Sequence, residues 1–464
     1  MDPNGFFLYF YDQKDEVTLI DFFQIRDIRT GDQARTPKDQ KVRSIVNMGS
    51  DKLEDKTITI VFGTDFVNTN FINFCTHKVE YAQLWSRELW DYTRSCNPLN
   101  MSSIQNIQKI HTQLMLITHK QDSPIPVKNI IKFFASKDKE DKKLVEKALD
   151  TSGFCSGKTD FIDKKDFGFD QFQVFYQKLL TRQDISNVFS KFCSEPNSKV
   201  MTCKEFLKFL NDYQRDPRLN EILYPYAQEE KAVNLIKKYE PNDHLISKNQ
   251  LSCEGFTWFL LSEDNLVMSP ERLLKMDDME KPLSNYFIAS SHNTYLTGHQ
   301  LTGKAGVEMY RQVLLSGCRC IELDFWDGEE EPHITHGYTI VNKLPAKQVI
   351  EAIAECAFKT SDYPLVLSFE NHCKFKQQAK IAQYCKQYFG DMMLDYPLKD
   401  HPLNPKVQLP SPESLKGKIL IKNKKQHIHH HPKAQPSEYF FHIFLSITSF
   451  YLIRLEPRHT VKKS

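Results

Sequence analysis

Between Gly5 and Gly63 the apolar positions come in short runs, GFFLYFY, VTLIDFFQI and TITIVFG, parted by polar, turn-forming residues. Runs of this length that alternate or stay apolar predict antiparallel strands. The period then changes. In HKVEYAQLWSRELWDYTRSC, residues Tyr81, Leu84, Leu89 and Trp90 recur at helical spacing, which predicts a helix with those side chains close to one face. Strands closed by a single helix describe a small barrel-like domain over residues 1–96, whose first strand begins almost at Met1.

Residues 97–265 read differently. IQNIQKIHTQLMLITH, VKNIIKFFAS, DISNVFSKFC and CKEFLKFLNDY carry helical spacing and are joined by polar loops, as paired helices would be. The loops fit the calcium-loop template poorly, since it asks for acidic ligands early and late and a glycine at its bend. A loop starting at Asp150 has Cys155 at the bend and Phe161 at the end. One running from Asp243 to Glu254 has Leu245 at an early ligand position and Lys248 at the bend. These pairs are expected to keep their fold without an ion.

From 282 to 425, short β-type runs alternate with amphipathic helices. NYFIAS, CRCIELDF, HITHGY, PLVLSFEN and KILIKNK are the runs; GVEMYRQVLLS, AKQVIEAIAECAF and KQQAKIAQYCKQYFG are the helices. Strand–helix alternation predicts a parallel α/β sheet. Residues 426–464 break the style and are expected to be disordered or non-native. Tyr439 to Ile453 is apolar but too short for a membrane-spanning helix, leaving an interfacial segment or read-through sequence as readings. His427, His429, His430 and His431 are read as a solvated tail rather than a metal site.

Composition narrows the classes. A chain of 464 residues suggests roughly three domains. Hydrophobic and charged contents of 40% and 26% are globular values, and the 12% aromatic content argues against general disorder. A net charge of +2 gives no global case for nucleic-acid binding. Eleven cysteines without a CxxC pair or zinc spacing predict a reduced, intracellular protein, with Cys318 and Cys320 packed as small buried groups. MDPNGFFLYFYDQKDE lacks a basic start followed by an apolar stretch, so a signal peptide is not expected from these residues.

The polar residues of the α/β region fall at strand ends. His292 and Asn293 follow YFIASS. Glu322 and Asp324 end CRCIELDF and, two apart, point the same way on a strand. His336 follows HIT, Glu370 closes LVLSFE, and Lys422 and Lys424 end KILIKNK. In a parallel β/α barrel such ends converge on one face, where active sites lie. Three carboxylates and an amide oxygen form a hard oxygen cage, suited to calcium or magnesium and not to zinc. Histidines beside it suit proton transfer and stabilisation of a crowded phosphorane, and lysines suit further phosphates. The combination predicts metal-assisted cleavage of a phosphodiester with a multiply phosphorylated head group. His333 and His372 lack that placement and are read as structural. The competing GxxxxGK pattern from Gly298 to Lys304 fails on detail. Ala305 stands where a nucleotide site needs Ser or Thr, and HNTYLT separates the loop from the strand.

At these residues the chain closely resembles the eukaryotic phosphoinositide-specific phospholipase C family. SSHNTYL, MYRQVLLSGCRCIELDFWDG, ITHGYT, LSFENH and KGKILIKNKK are similar to its first catalytic half, the X region. AIAECAFKTSDYPLVLSFENH and RDPRLNEILYP are most similar to the beta class. The resemblance covers residues 1–425. It implies a multidomain chain: an N-terminally incomplete pleckstrin-homology (PH) domain, an EF-hand-like region that mostly lacks calcium, then the first half of a TIM barrel. It implies calcium on Asn293, Glu322, Asp324 and Glu370. His292 would stabilise pentavalent phosphorus, and His336 would protonate the diacylglycerol oxygen. Glu322 would take the proton of the inositol 2-hydroxyl, giving a cyclic phosphodiester that water opens. Lys422 and Lys424 would contact ring phosphates.

The implied activity is calcium-dependent hydrolysis of phosphatidylinositol 4,5-bisphosphate to diacylglycerol and inositol 1,4,5-trisphosphate in G-protein-coupled signalling. Implied partners are phosphoinositide membrane lipids, Gq-type alpha and beta-gamma subunits, and Rac-type GTPases. Cytoplasmic location with peripheral membrane contact follows from the same resemblance. Family members continue into a second half-barrel, a C2 domain and a helical extension, which do not follow Lys425 here. The expectation is therefore a chain inactive or nearly so on its own, with a non-catalytic binding or regulatory module as the alternative reading.

Overall fold

The computed structural model describes residues 1–12, 16–47, 51–96, 102–117, 124–195, 198–268, 276–402 and 407–423. Lys424, the histidines of 427–431 and the 426–464 tail lie outside the described residues. Two compact units are present, one built from Met1–Ile25 with Arg87–Lys275, the other from Arg26–Ser86 with the residues from Met276 on.

In the first unit, β1 (Phe7–Tyr11) and β2 (Val17–Asp21) form an antiparallel hairpin. The run VTLIDFFQI, expected as one strand, is broken after Asp21. Its carboxylate accepts from the Phe23 amide at 3.0 Å and caps a single 3-10 turn, so the chain turns before β3 (Ile25–Arg29) begins. The expected helices stand at Ser103–Ile117, Val127–Phe134, Gln183–Phe192 and Cys203–Lys208, with Lys139–Thr151, Phe169–Leu179, Glu229–Tyr239, Asp243–Ser247 and Cys253–Leu261 between and after them. They pack as two lobes. One buries Val127, Ile130, Leu149, Phe172 and Phe175; the other buries Phe189, Phe206, Leu235, Phe256 and Phe259. Within each lobe the connecting loops pair as a minimal antiparallel ladder: β6 (Ile125–Pro126) with β7 (Phe161–Ile162), and β8 (Val200–Thr202) with β9 (Gln250–Ser252).

The helix at Cys203 starts with a reciprocal cap. Thr202 Oγ1 accepts from the Glu205 amide, while Glu205 Oε2 accepts from the Thr202 amide at 2.7 Å and Oε1 from the Ser194 amide at 2.6 Å. Burial alone would raise the Glu205 pKa, but the hydrogen bonds from Ser194 and Thr202 outweigh it and hold the carboxyl at about 2. A depressed carboxyl contributes stability above its unfolded pKa, about 4.3, and loses that contribution as pH falls through the folded value. Glu205→Gln is therefore expected to cost about 1 kcal/mol at pH 7 and less than half of that at pH 2. Urea midpoints at the two pH values measure this, and an equal difference at both would refute it.

The second unit contains β3, β4 (Thr57–Phe62) and β5 (Asn70–Cys75) in that order, β4 and β5 antiparallel. The helix Val79–Ser95 that follows does not bury the expected face. Ala82 is its buried residue, Tyr81 and Leu84 are exposed, and Leu89 and Trp90 are half-buried.

Asp27 in β3 is 1% exposed and faces two cations, Arg29 Nε at 2.7 Å and Lys359 Nζ. Arg29 also donates to Glu308 at 2.6 Å. Glu308 lies in the first turn of the helix Val307–Leu315, and Lys359 lies just beyond the helix Ala346–Cys356.

The remainder of this unit is a sheet with helices on one face. β10 (Leu296–Thr297) and β11 (Lys304–Ala305) form a hairpin, so Gly298–Lys304 is its tip rather than a strand-to-helix phosphate loop. The main sheet holds β12 (Cys320–Trp326), β13 (His333–Ile334), β14 (Leu344–Pro345), β15 (Leu365–Asn371) and β16 (Ile419–Asn423), in the order β14-β13-β12-β15-β16. β12, β15 and β16 are parallel, but two expected strands differ. NYFIAS supplies only one parallel bridge, Ser290 to Cys320, with Phe287 fully exposed. HITHGY turns back antiparallel on β12, because the few residues after Trp326 are too short for a crossover and suffice only for a hairpin.

Candidate active site

A parallel strand covered on both faces reads as a continuous apolar run. These strands alternate instead. Ile321, Leu323, Phe325, Leu365, Leu367, Phe369, Ile419 and Ile421 join one apolar core with residues of the covering helices, such as Tyr310, Ile350, Ile353 and Ile381. The opposite parity carries Glu322, Asp324, Ser368, Glu370 and Lys422. The register is direct: Glu322 lies beside Ser368 and Ser368 beside Lys422, while Asp324 lies beside Glu370. Two adjoining rows of polar side chains thus stand on the face away from the helices, toward the C-terminal ends of the strands.

Oxygens of Glu322, Asp324 and Glu370 lie within 4.8 Å of one another, and among the described residues no other such group of metal-ligating side chains occurs. Asp324 is 5% exposed and its Oδ1 is buried without a hydrogen-bond partner. Its Oδ2 accepts from the buried Tyr295 hydroxyl at 2.6 Å. Burial pushes the Asp324 pKa up to about 6, and the Tyr295 hydrogen bond only partly offsets this; the negative charges of Glu322 and Glu370 raise it further. The same carboxylate, with burial, raises the Tyr295 phenol. An orphaned buried oxygen among clustered carboxylates is the signature of a site whose missing partner is positive. The donors are all oxygen, which fits calcium or magnesium.

Asn293 adds to the cluster through an unusual backbone. Its φ is 46°, a left-handed conformation that asparagine tolerates better than most residues. Its amide N–H donates to Glu322 Oε2 at 2.8 Å, and its Nδ2 donates to Gln300 Oε1 at 2.8 Å. Asn293 Oδ1 lies 3.2 Å from the Tyr295 hydroxyl that also reaches Asp324. Thr294 Oγ1 accepts from the Glu322 amide, tying the His292–Asn293 turn to β12.

The two predicted histidines are placed differently. His292 is 84% exposed, with Nε2 3.7 Å from Glu322 Oε2. His336 is half-buried, and its Nδ1 lies 2.7 Å from the Gln300 carbonyl. A carbonyl can only accept, so Nδ1 keeps its proton and Nε2 is the atom that gains and loses one. The turn after His336 is fixed by packing. A Cβ on Gly337 would lie 2.0 Å from the Trp326 indole, so only glycine fits there.

His372, read from sequence as structural, lies against the cluster. Its Nε2 is 2.8 Å from Glu370 Oε1, and its ring stacks on Trp326 at 4.0 Å. The spacing held the signal: two residues past Glu370, on an extended strand end, a side chain emerges on the same side. Tyr295 and Gln300 were also missed, since nothing in their local pattern separates them from ordinary core and loop residues. His333 is buried in β13. Lys422 is exposed and donates to Ser368 Oγ at 3.4 Å, and Lys424 lies outside the described residues. All eleven cysteines are free; Cys318 is buried, and Cys320 is half-buried beneath Ser290. Beside His336 lie exposed apolar residues: Tyr338, Ile340 and Leu301 are 99%, 80% and 55% exposed, and the Ile340 amide donates to the Leu301 carbonyl.

Comparison with known proteins identifies what the chain is similar to. The family described as phosphatidylinositol-specific phospholipase C, X domain, matches residues 279–425. A PH domain matches 1–100, a phosphoinositide phospholipase C beta1-4-like EF-hand domain 107–180, and a phospholipase C EF-hand-like domain 175–270. The 1-phosphatidylinositol 4,5-bisphosphate phosphodiesterase classes I and II of Drosophila melanogaster is 54% identical over 412 residues, 88% of this chain and 31% of that protein. The beta-1 phosphodiesterase of Mus musculus is 47% identical over 430 residues, 92% of this chain and 35% of that protein. The crystal structure of L. pealei PLC21 superposes with a TM-score of 0.83 at 44% identity, covering 92% of this chain and 55% of that one. The chain thus spans about a third of the length of the curated relatives it matches.

Proposed function

From the premise that this chain belongs to the beta class of the phosphoinositide-specific phospholipase C family, we propose that its polar sheet face cleaves phosphatidylinositol 4,5-bisphosphate into diacylglycerol and inositol 1,4,5-trisphosphate. The observation that carries this reading is the cluster of Glu322, Asp324 and Glu370 with the orphaned Asp324 oxygen, set between two histidines and a lysine.

Glu322, Asp324, Glu370 and the Asn293 side chain would hold calcium. Bound there, the ion would supply Lewis acidity to the phosphoryl oxygens and the attacking hydroxyl. Glu322, whose Oε2 lies 3.7 Å from His292 Nε2, takes the proton of the inositol 2-hydroxyl as that oxygen attacks phosphorus. The exposed His292 presents a donor to the charge that develops on the phosphoryl oxygens. His336 Nε2 gives its proton to the departing diacylglycerol oxygen, with Nδ1 anchored on Gln300 throughout. The product of this step is a cyclic phosphodiester, which water then opens. Lys422, one strand away from Glu370 and two from Glu322, meets a ring phosphate as a point charge, and Lys424 is proposed for the same role. The exposed Tyr338, Ile340 and Leu301 rest on the lipid surface, so membrane contact is peripheral. Among the described residues no helix is long and apolar enough to cross a membrane. Gq-type alpha and beta-gamma subunits and Rac-type GTPases remain the proposed regulators, on family grounds alone.

A second reading, binding of lipid and G proteins without turnover, is favoured by the position of β16, which among the described residues ends the sheet's strand order with only a single further bridge, Ile419 to Met393. One experiment separates the two: calcium titration of inositol trisphosphate release from mixed vesicles, paired with calorimetric binding of the head group. Turnover that a chelator abolishes supports the first reading, and head-group binding without product supports the second. Under the first, Lys422→Ala is expected to lower the rate on the bisphosphate about tenfold and leave unphosphorylated phosphatidylinositol unchanged. Equal losses on both lipids would remove Lys422 from phosphate recognition.

A further inference from the structure

The helical lobe nearer the N-terminus carries a charge arrangement that the lipid-cleaving face does not use. A hollow of about 510 Å³ is lined by Lys128, Lys132, Lys137, Lys142 and Lys158, together with Ile131, Ala135 and Ser136, and by no acidic residue. The lysines come from separate elements. Lys128 and Lys132 stand one turn apart on the helix Val127–Phe134, Lys137 in the loop after it, Lys142 on the helix Lys139–Thr151 and Lys158 in the loop beyond. Like charges one turn apart on a helix repel, so this cluster is not explained by helix stability.

Neighbouring carboxylates are engaged elsewhere. Asp138 caps its helix on the Glu140 amide at 3.1 Å, Glu140 pairs with Lys143 at 3.0 Å, Asp141 accepts from Ser136, and Asp160 accepts from the Gly157 amide at 2.9 Å. Among the described residues none of the five lysines forms an ion pair, and Lys142 Nζ reaches only the Lys137 carbonyl, at 3.5 Å. Three other lysines of the same unit do form ion pairs, Lys109 with Asp21, Lys143 with Glu140 and Lys238 with Asp264. In a chain of net charge +2, five uncompensated cations around one concave surface are a local excess. They focus a positive potential whose relief requires a compact ligand of several negative charges.

We propose that this hollow is a binding site for a multiply phosphorylated anion, of the size of an inositol ring bearing several phosphates. Ammonium groups are point donors that suit clustered phosphate oxygens, and the hollow has the volume of a small-ligand site. The shared chemistry leaves two sources, a soluble inositol polyphosphate or the head group of a phosphoinositide in a bilayer. The site shares no residue with the carboxylate cluster, so it stands or falls independently of the catalytic reading.

The test is calorimetry of the whole chain with inositol hexakisphosphate at about 0.15 M salt, beside flotation with phosphatidylcholine vesicles, plain or carrying phosphatidylinositol 4,5-bisphosphate or phosphatidylserine. The comparison protein is the Lys128→Gln, Lys132→Gln, Lys158→Gln variant, whose exposed substitutions should leave the thermal midpoint unchanged. Expected is saturable binding that weakens at least 30-fold in the variant, given charge-assisted contacts each worth about tenfold. Loss of soluble-ligand binding alone identifies a soluble anion; loss on both soluble ligand and phosphoinositide vesicles identifies the head group. Equal binding by variant and parent would overturn the proposal. So would a variant defect confined to phosphatidylserine vesicles, because that is diffuse surface attraction rather than a polyphosphate site.

Discussion

Asp324→Asn is expected to abolish divalent-cation binding while making the cation-free protein more stable. Asp324 is almost completely buried, touches two further carboxylates, and leaves one oxygen without a partner. Holding three negative charges this close without an ion is unfavourable, and burial prevents water from relieving it. A neutral amide of the same shape removes that penalty and keeps the Tyr295 hydrogen bond. It also removes a ligand charge. Loss of outer-shell partners alone weakens metal sites 10–100-fold, so loss of a ligand charge should cost roughly 100-fold or more in calcium affinity. Differential scanning fluorimetry with and without calcium reads both effects. The parent should gain thermal stability on adding calcium. The variant should start higher and gain nothing. A variant that melts lower without calcium, or responds to it as the parent does, would show that the cluster is not strained toward a cation.

Asp27→Ala is expected to lower folding stability by about 3–5 kcal/mol, the cost of leaving buried charge uncompensated. Asp27 faces Arg29 and Lys359, and Arg29 is itself only 6% exposed. Replacing the carboxylate leaves two cations beside a methyl group. The expected readout is a large fall in urea midpoint with the slope unchanged. Replacing the most buried cation as well, as Asp27→Ala with Arg29→Met, should recover part of the loss, because the groups then left without their partners, Lys359 and Glu308, are 24% and 29% exposed and reach solvent. A loss below about 1 kcal/mol for the single variant would mean that the cations relax to solvent. The network couples β3 to the helices on either side of β12, so the same variant reports whether the sheet bearing the carboxylates depends on it.

Much of the site was legible because strand periodicity is strict. Glu322 and Asp324 had to share a face, and Glu370 and Lys422 follow from the same alternation on β15 and β16. What the periodicity could not give was direction and partnership. HITHGY looks like a strand, but whether it runs parallel or folds back depends on the length of the link after Trp326. NYFIAS has strand composition yet makes one bridge, because composition does not tell whether a neighbour offers a free edge. His372 and Tyr295 acquire their roles through contacts made in three dimensions, with Glu370 and Asp324. The helix Val79–Ser95 shows the opposite failure: its apolar spacing was real, but the face it buries is set by Ala82, a residue that hydrophobic patterns underweight.

The antiparallel return of β13 has a consequence for how the site comes together in time. Because the chain folds straight back on β12, Glu322, Asp324 and His336 all lie within residues 320–336, and their mutual contacts close only a short loop. Short loops cost little entropy and form early, whereas Glu370 and Lys422 arrive through long crossovers on β15 and β16. His336, Glu322 and Asp324 are therefore expected to form a local nucleus, with Lys422 on the strand that joins last. Hydrogen exchange in the native protein should follow that order in reverse, with the amides of β16 opening before those of β12.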